Sequence, residues 1–194
     1  MKNKPITLSA ETLGEDFVKK VDALSGTAVK RCFQCGKCSA GCPMGSFMEI
    51  APNRIIRMLQ MGQWKRVLES RTIWRCASCE TCSSRCPNEV HLASIMDALR
   101  KLALDSKLPS QENRVQLANK LFLQNIRTYG RQFEMRLAAE FNLRSGQYFK
   151  DLTLGPKMFA KGKLKLTHHK NKNISEIEKI FSRIENMRSK GEVL

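Results

Sequence analysis

The chain has 194 residues, of which 42% are hydrophobic and 7% aromatic, a composition typical of one medium-sized globular domain or a small domain with extensions. Its formal net charge of +16 at pH 7 is compatible with nucleic acid, an anionic membrane surface or an acidic protein as partner. No run approaches the ~20 apolar residues that a membrane-spanning helix needs, which excludes direct membrane insertion.

The first 27 residues predict an amino-terminal extension that ends in a short helix. Apolar residues recur at helical spacing between Glu15 and Leu24, and we expect this helix to pack on the domain that follows. The extreme amino terminus has positive charge but lacks the apolar segment of an export signal. We therefore expect a cytoplasmic protein.

All eight cysteines lie in two runs of identical spacing. The first extends from Cys32 to Pro43 and the second from Cys76 to Pro87, and both follow C-x2-C-x2-C-x3-C-P. The intervening residues are mostly small or polar, so backbone N–H groups can approach a bound group closely. The final proline fixes φ and turns the chain away without offering another donor.

The segment between the two runs indicates helices. Pro52 and Gly62 stand at the start and just past the end of one predicted helix, and residues 63–68 predict a second. The alternation of polar and apolar residues that marks a strand is missing. We therefore predict an all-α, helical ferredoxin-like domain over residues 28–106, with extensions on both sides.

After the second run, Asn88 is expected to cap a helix from about Glu89 to Asp105. The apolar stripe of this helix comprises Leu92, Ile95, Met96, Leu99, Leu102 and Ala103. Residues 107–145 predict a helical scaffold or docking segment, with one helix from Gln111 to about Tyr129, capped by Ser110, and another from Arg131 to Phe141.

Residues 146–194 predict a basic carboxy-terminal extension. Within it, Ser175 and Glu178 match a capping box that opens an amphipathic helix with Ile177, Ile180, Phe181, Ile184 and Met187 on one face. The sequence leaves open whether this face packs on the same chain or on a partner.

The cysteine spacing is the one that bacterial ferredoxins use for [4Fe–4S] clusters, and it predicts two such clusters. In two-cluster ferredoxins the fourth cysteine of each run ligates the cluster of the other run. Carried over position by position, the first cluster has the ligands Cys32, Cys35, Cys38 and Cys86. The second cluster has the ligands Cys76, Cys79, Cys82 and Cys42.

Other interpretations of the cysteines fit less well. Zinc sites usually use two C-x2-C pairs, which leaves the third sulfur of each triplet unexplained, and disulfides belong to oxidising compartments. His91 is interpreted as a surface or packing residue, because sulfur fills all eight predicted ligand positions. No convergent set of carboxylates, histidines or nucleophiles predicts a catalytic residue, so the protein itself is expected to perform no bond chemistry.

Three cations lie within or beside the runs, at Lys37, Arg75 and Arg85. Positive charge near a cluster stabilises its reduced, more negative form and raises the reduction potential. The alternative is that these side chains face solvent or a partner. The sequence does not choose between the two.

Both runs, the helical spacer and the late segment from Leu154 to Leu166 together resemble HdrC, the small iron–sulfur component of heterodisulfide reductase, over about residues 28–166. The resemblance implies a cytoplasmic component that relays single electrons through two [4Fe–4S] clusters. The implied partners are a flavin-bearing donor subunit and a catalytic subunit that reduces the CoM-S-S-CoB heterodisulfide in methanogenesis, with a hydrogenase or formate dehydrogenase in larger complexes. Related complexes act on other sulfur compounds, so the substrate stays open.

Two rival functions remain. A nucleic-acid-binding protein with structural metal sites would account for the charge, but the basic residues are spread over the chain and the few aromatics form no stacking platform; no nucleic-acid partner is expected. A free ferredoxin-like carrier would share the cluster motifs. The long helical tail and its apolar stripe favour a fixed subunit of a complex instead.

Overall fold

The computed structural model describes residues 14–106, 113–146, 158, 160–162, 171 and 173–190. Every secondary-structure element in this part of the chain is a helix, which confirms the all-α class. None of these helices is long and apolar enough to cross a bilayer. The chain divides into two compact units, Met1–Glu112 and Asn113–Leu194; the finer domain boundaries stay predictions.

The first unit contains seven α-helices in its described part. They are α1 (Glu15–Ser25), α2 (Lys37–Ala40), α3 (Pro52–Gln60), α4 (Trp64–Glu69), α5 (Thr72–Arg75), α6 (Thr81–Ser84) and α7 (Leu92–Asp105). Short 3-10 turns at Val29–Arg31 and Gly45–Phe47 precede α2 and α3.

The core of this unit forms around α7. Its apolar stripe faces α1, α4, α5 and α6, and Ile95 and Leu99 on that stripe are fully buried. Burial of such a side chain stabilises the fold by about 1.5–3 kcal/mol. The predicted stripe is therefore the packing surface of the unit, and α1 packs on it as expected.

The helix bounds between the cysteine runs agree with the sequence pattern. Pro52 occupies the first turn of α3, where its missing N–H removes no helical hydrogen bond. Gly62 follows the helix at φ 72°, a backbone conformation that glycine adopts without steric cost. The second predicted helix is α4.

The predicted start of α7 is wrong. The helix begins at Leu92 and not near Glu89, and the Asn88 amide donates to the Arg31 carbonyl instead of capping it. Residues 89–91 do not join the helix, because the Val90 N–H donates to the Cys86 sulfur at 3.3 Å and Glu89 has a positive φ of 53°. These contacts keep residues 86–91 at the cysteine run.

The second unit contains α8 (Asn113–Tyr129), α9 (Glu134–Ser145) and α10 (Ile174–Ser189) in its described part. Helix α9 begins three residues later than Arg131, because Phe133 has extended backbone and stands at its N-cap. The Ser175 capping box is also wrong: the Asn173 carbonyl accepts the first N–H groups of α10, so Ser175 lies inside the helix. The predicted Ser110 cap lies outside the described residues.

Helix α10 packs on α8 of the same chain, which answers part of the question that the sequence left open. Arg127 of α8 donates to Glu185 at 2.6 Å, lies 3.6 Å from Glu178 and sits over the Phe181 ring at 5.6 Å from its centroid. Ile180 and Ile184 of the same helix are 58% and 48% exposed. The apolar stripe of α10 is therefore only partly covered.

Candidate iron–sulfur site

The two cysteine runs fold into matching loops that meet through their short helices. Helix α2 contains Cys38 and α6 contains Cys82, the third cysteine of each run, and these two helices contact each other. Contacts of α2 with α3 and of α6 with α7 fix each run on the helix that follows it. The fold thus places both runs side by side.

The two loops share an unusual backbone conformation. Two residues after the first cysteine, Gln34 and Ser78 have φ values of 64° and 49°, and two residues further on Gly36 and Glu80 have 78° and 58°. A side chain in this left-handed region costs about 1–2 kcal/mol. Its repetition at matching positions indicates that both turns are required by the site and not by local sequence preference.

One cavity collects all four predicted ligands of the first cluster, and also Cys82, a predicted ligand of the second. It is lined by Cys32, Cys35, Cys38, Cys82 and Cys86, together with Gln34, Gly36, Asn53, Ile56, Val90 and Leu92. Cys86 of the second run therefore shares a cavity with the three leading cysteines of the first run. The remaining cysteines, Cys42, Cys76 and Cys79, do not line this cavity.

None of the eight cysteines forms a disulfide, so the full predicted donor set is present. Burial raises the pKa of the Cys38 and Cys82 thiols, and the nearby Cys32 and Cys76 thiols add to the rise in the respective run. Hydrogen bonding with Thr81 lowers the pKa of Cys79. Binding iron removes these protons, because the thiolate is the ligand.

Two N–H donors face cysteine sulfurs. The Gln34 side-chain amide donates to the Cys32 sulfur at 3.3 Å, and the Val90 N–H donates to the Cys86 sulfur at the same distance. Hydrogen bonds to sulfur are one of the means by which proteins set cluster potentials. The apolar side chains of Ile56 and Leu92 line the same cavity and limit the access of water.

The first loop is supported by a neutral network from α3. The Gln60 side-chain amide donates to the carbonyls of Val29 at 3.1 Å and Cys32 at 2.9 Å. The Ser39 hydroxyl donates to the Asn53 side-chain oxygen at 2.6 Å and accepts from its backbone N–H at 2.9 Å. These bonds fix both ends of the first loop on one helix.

The second loop is supported by Arg100 of α7. Its guanidinium donates to the Ile73 carbonyl at 2.6 Å and to the Cys76 carbonyl, and also to the Ser78 hydroxyl at 3.1 Å and to Asp97 at 2.8 Å. Two of these four acceptors are backbone carbonyls, one in α5 and one on the first cysteine of the run. Arg100 is therefore the main side chain that fixes the start of the second loop.

The cations predicted from the sequence have distinct positions. Arg75 donates to the Phe47 carbonyl, and the guanidinium of Arg85 lies against Gly41, where a Cβ would meet it. Lys37 is exposed. His91 is also exposed and stands at the N-cap of α7, in keeping with its interpretation as a surface residue.

Sequence reasoning missed Gln60, Asn53 and Arg100, which support the loops without ligating anything. The signal for two of them was positional. Gln60 is the ninth residue of α3, and Arg100 is the ninth residue of α7, counted from helix starts at Pro52 and Leu92. Aligning α3 with α7 from their first residues pairs Gln60 with Arg100. This pairing was not readable from the sequence pattern, because that pattern placed the start of α7 three residues too early.

The number and spacing of the cysteines suit [4Fe–4S] clusters. In the described ranges, no group of three or more His, Cys, Asp or Glu side chains is arranged to hold one metal ion. A [4Fe–4S] cluster takes one thiolate at each iron, so its ligands stand apart around a cube. Eight cysteines in two matching loops suit two such cubes.

Comparison with known proteins supports this interpretation. Residues 28–90 match the family described as "4Fe-4S dicluster domain", a stretch that begins before Cys32 and extends beyond Cys86. Residues 28–90 hold two [4Fe–4S] clusters. A [4Fe–4S] cluster is a redox-active group that takes four thiolates. The eight cysteines of this stretch are enough for two clusters.

The similar proteins are the C subunits of heterodisulfide reductases. The chain is 33% identical over 103 residues to the C subunit of the ferredoxin:CoB-CoM heterodisulfide reductase of Methanosarcina acetivorans, which covers 53% of this chain and 41% of that protein. It is 35% identical over 105 residues to the C2 subunit of the H(2)/formate:CoB-CoM heterodisulfide,ferredoxin reductase of Methanococcus maripaludis, covering 50% and 56%.

A third match has the same character. The chain is 31% identical over 91 residues to the C subunit of the H(2):CoB-CoM heterodisulfide,ferredoxin reductase of Methanothermobacter marburgensis, covering 47% and 49%. The chain thus spans about half the length of the curated relatives that it matches. Over that half, it resembles HdrC.

Proposed function

We propose that this chain is an electron-transfer subunit of a heterodisulfide reductase complex. The observation that carries the proposal is the pair of matching cysteine loops, which α2 and α6 bring into contact. [4Fe–4S] clusters accept and release single electrons, and two held side by side suit a relay. The chain's own residues bind and orient them and exclude water, and none acts as an acid, base or nucleophile.

We assign the ligands by the crossed pattern. Cys32, Cys35, Cys38 and Cys86 hold the first cluster, and Cys76, Cys79, Cys82 and Cys42 hold the second. The shared cavity of Cys86 with the first run supports the first half of this assignment. The contact between α2 and α6 supports the second half, because it brings the two runs together.

The proposed complex places the bond chemistry on other polypeptides. A flavin-bearing subunit would supply electrons, and a separate catalytic subunit would reduce the CoM-S-S-CoB heterodisulfide in the cytoplasm; a hydrogenase or formate dehydrogenase would join in larger assemblies. The names of the relatives, which include H(2), formate and ferredoxin as well as CoB-CoM heterodisulfide, support this arrangement. An equivalent relay acting on another disulfide or sulfur compound is the alternative.

Anaerobic purification of the chain from its native cells tests the proposal. We expect about eight irons per chain, visible absorbance near ~400 nm that dithionite bleaches reversibly, and co-purifying flavin-bearing and cysteine-rich subunits. Folded protein that lacks iron would refute the cluster function. Iron-loaded protein that remains free of partners would refute the subunit role and favour an independent carrier.

The substrate is tested on the purified complex. With reduced donor present, the CoM-S-S-CoB heterodisulfide should be consumed at a rate that depends on this chain. A complex that reduces only other disulfides or sulfur compounds would favour the alternative relay. The chain itself, separated from its partners, should reduce neither.

A further inference from the structure

The two cysteine loops are held by equivalent side chains of different charge. Gln60 and Arg100 occupy the ninth position of α3 and α7. Each donates to the carbonyl of the first cysteine of its run, Cys32 or Cys76, and to the carbonyl three residues earlier. The first loop therefore receives a neutral amide at the place where the second loop receives a cation.

The charge of Arg100 faces the second loop. Two of its nitrogens, Nε and Nη2, donate to the carbonyls of Ile73 and Cys76, whereas Nη1 donates to Ser78 and Asp97. The Arg100 side chain is 22% exposed and the Asp97 side chain is 55% exposed. Water screens the carboxylate more than the guanidinium, so the ion pair leaves positive charge directed at the loop.

A second difference between the two cysteine loops also makes the second one more dependent on Arg100. Asn53, the second residue of α3, bonds Ser39 in the first loop. The second residue of α7 is Ala93, so the buried hydroxyl of Ser83, at the position matching Ser39, receives no side-chain hydrogen bond from α7. Neutral hydrogen bonds thus fix the first loop, whereas the second depends on Arg100.

Apart from Arg75, the charged side chains within and beside the runs are more exposed than Arg100. Lys37 in the first run and Glu80 and Arg85 in the second are all exposed, and Arg31 beside the first run has a 53% exposed side chain. Solvent and salt screen such charges strongly. Arg75 is half-buried, and it donates to the Phe47 carbonyl.

We propose that Arg100 positions the second cysteine loop and that its charge makes the second cluster the more easily reduced of the two. The physical reason is that a nearby cation stabilises the reduced, more negative form of a cluster. The inference rests on the proposed function and its assignment of Cys76, Cys79 and Cys82 to the second cluster. A single electron on this chain would then reside mainly on the second cluster.

Redox titration of the cluster-loaded protein, followed by low-temperature EPR, tests the proposal. Wild-type protein should show two one-electron steps. In Arg100→Gln, which copies the side chain of the first loop, the higher step should move to lower potential while the lower step stays in place. Arg100→Lys keeps the cation and should hold the higher step near its wild-type potential.

Asp97→Asn is the matched variant of opposite sign, because it removes the negative charge that faces Arg100 and leaves Arg100 intact. It should move the higher step to higher potential, and it serves as the test if Arg100→Gln fails to load clusters. Three outcomes would overturn the proposal. The potential of the higher step could be unchanged in both Arg100→Gln and Asp97→Asn, or the lower step could shift instead. The third is a higher step at the same potential in Arg100→Lys as in Arg100→Gln. Wild-type protein without two steps would count against the proposed function itself.

Discussion

Cys35 and Cys79 occupy the same place in the two runs, and both are exposed. Their side chains stand where each loop has turned through its left-handed residue, Gln34 or Ser78. The fourth cysteines, Cys42 and Cys86, are half-buried instead. At the scale of single residues, the matched positions of the runs allow the crossed ligation to be tested directly.

Replacement of one cysteine by alanine should remove one cluster. We expect Cys35→Ala and Cys79→Ala each to lose about half of the iron, since a cubane without its fourth thiolate is labile. The crossed pattern further predicts that Cys86→Ala leaves the same EPR spectrum as Cys35→Ala, and Cys42→Ala the same as Cys79→Ala. Iron analysis and EPR of the four proteins decide this. Uncrossed pairing would give the opposite matches.

Leu99 and Leu104 lie on the same helix, but Leu99 is fully buried and Leu104 is 57% exposed. Leu99→Ala leaves a cavity in the core and should lower the free energy of unfolding by about 2–5 kcal/mol. Leu104→Ala should change it by less than about 0.5 kcal/mol. Anaerobic urea unfolding followed by circular dichroism measures both. Equal effects would show that α7 is not the centre of the core.

At the scale of elements, each unit depends on one helix that the others contact. Helix α7 contacts four helices of the first unit, and α8 contacts both α9 and α10 in the second. The ion pairs of Arg127 with α10 involve carboxylates that are more than half exposed, and such pairs contribute little to stability. Close packing at Gly130 is the stronger constraint on α10.

Gly130 and Gly146 allow this packing to be separated from backbone strain. Both have positive φ, 70° and 71°, so an alanine costs about 1–2 kcal/mol at either. A Cβ at Gly130 would also meet Asn171 at 2.7 Å and Ile174 at 3.1 Å, whereas one at Gly146 meets nothing within 4 Å. Gly130→Ala should therefore speed amide hydrogen exchange in α10, and Gly146→Ala should not. Equal exchange would mean that α10 is held elsewhere.

At the scale of the whole molecule, the two units differ in what stabilises them. The first contains every cysteine, and its loops carry left-handed residues that are strained without the bound clusters. The second has its own helix contacts and no cysteine. Because metal-binding free energy contributes to folding free energy, cluster loss should affect the two units unequally.

Removal of iron with a chelator under air should leave the second unit folded. We expect amide protection to fall first in α2 and α6 and in the residues between each run and its following helix. Helices α8 and α9 should keep their protection, since their contacts do not involve the clusters. Hydrogen exchange of cluster-loaded and iron-depleted protein measures this. Simultaneous loss of protection in α8 would show that the second unit depends on the clusters.

The sequence predicts the bounds of some helices more closely than those of others. Helices with a strong apolar period and a Pro or Gly boundary, such as α3, were predicted closely. The starts of α7, α9 and α10 were predicted wrongly. At α9 and α10 the local backbone decides the start, because Phe133 is extended and the Asn173 carbonyl accepts the first helical N–H groups. At α7 a tertiary contact overrides the local pattern. At Asn88 the competing contact is known: its amide bonds the Arg31 carbonyl, 57 residues away along the chain.

What the amino-acid sequence determined by itself is the donor set and the helical class. Cysteine spacing is a covalent property, and helical periodicity is local, so both are readable along the chain. Only the tertiary structure decided which side chains hold the loops. Gln60 and Arg100 lie 28 and 24 residues from the cysteines whose carbonyls they bind, and such pairs meet only when the helices pack. The charge difference between the two loops follows from that packing.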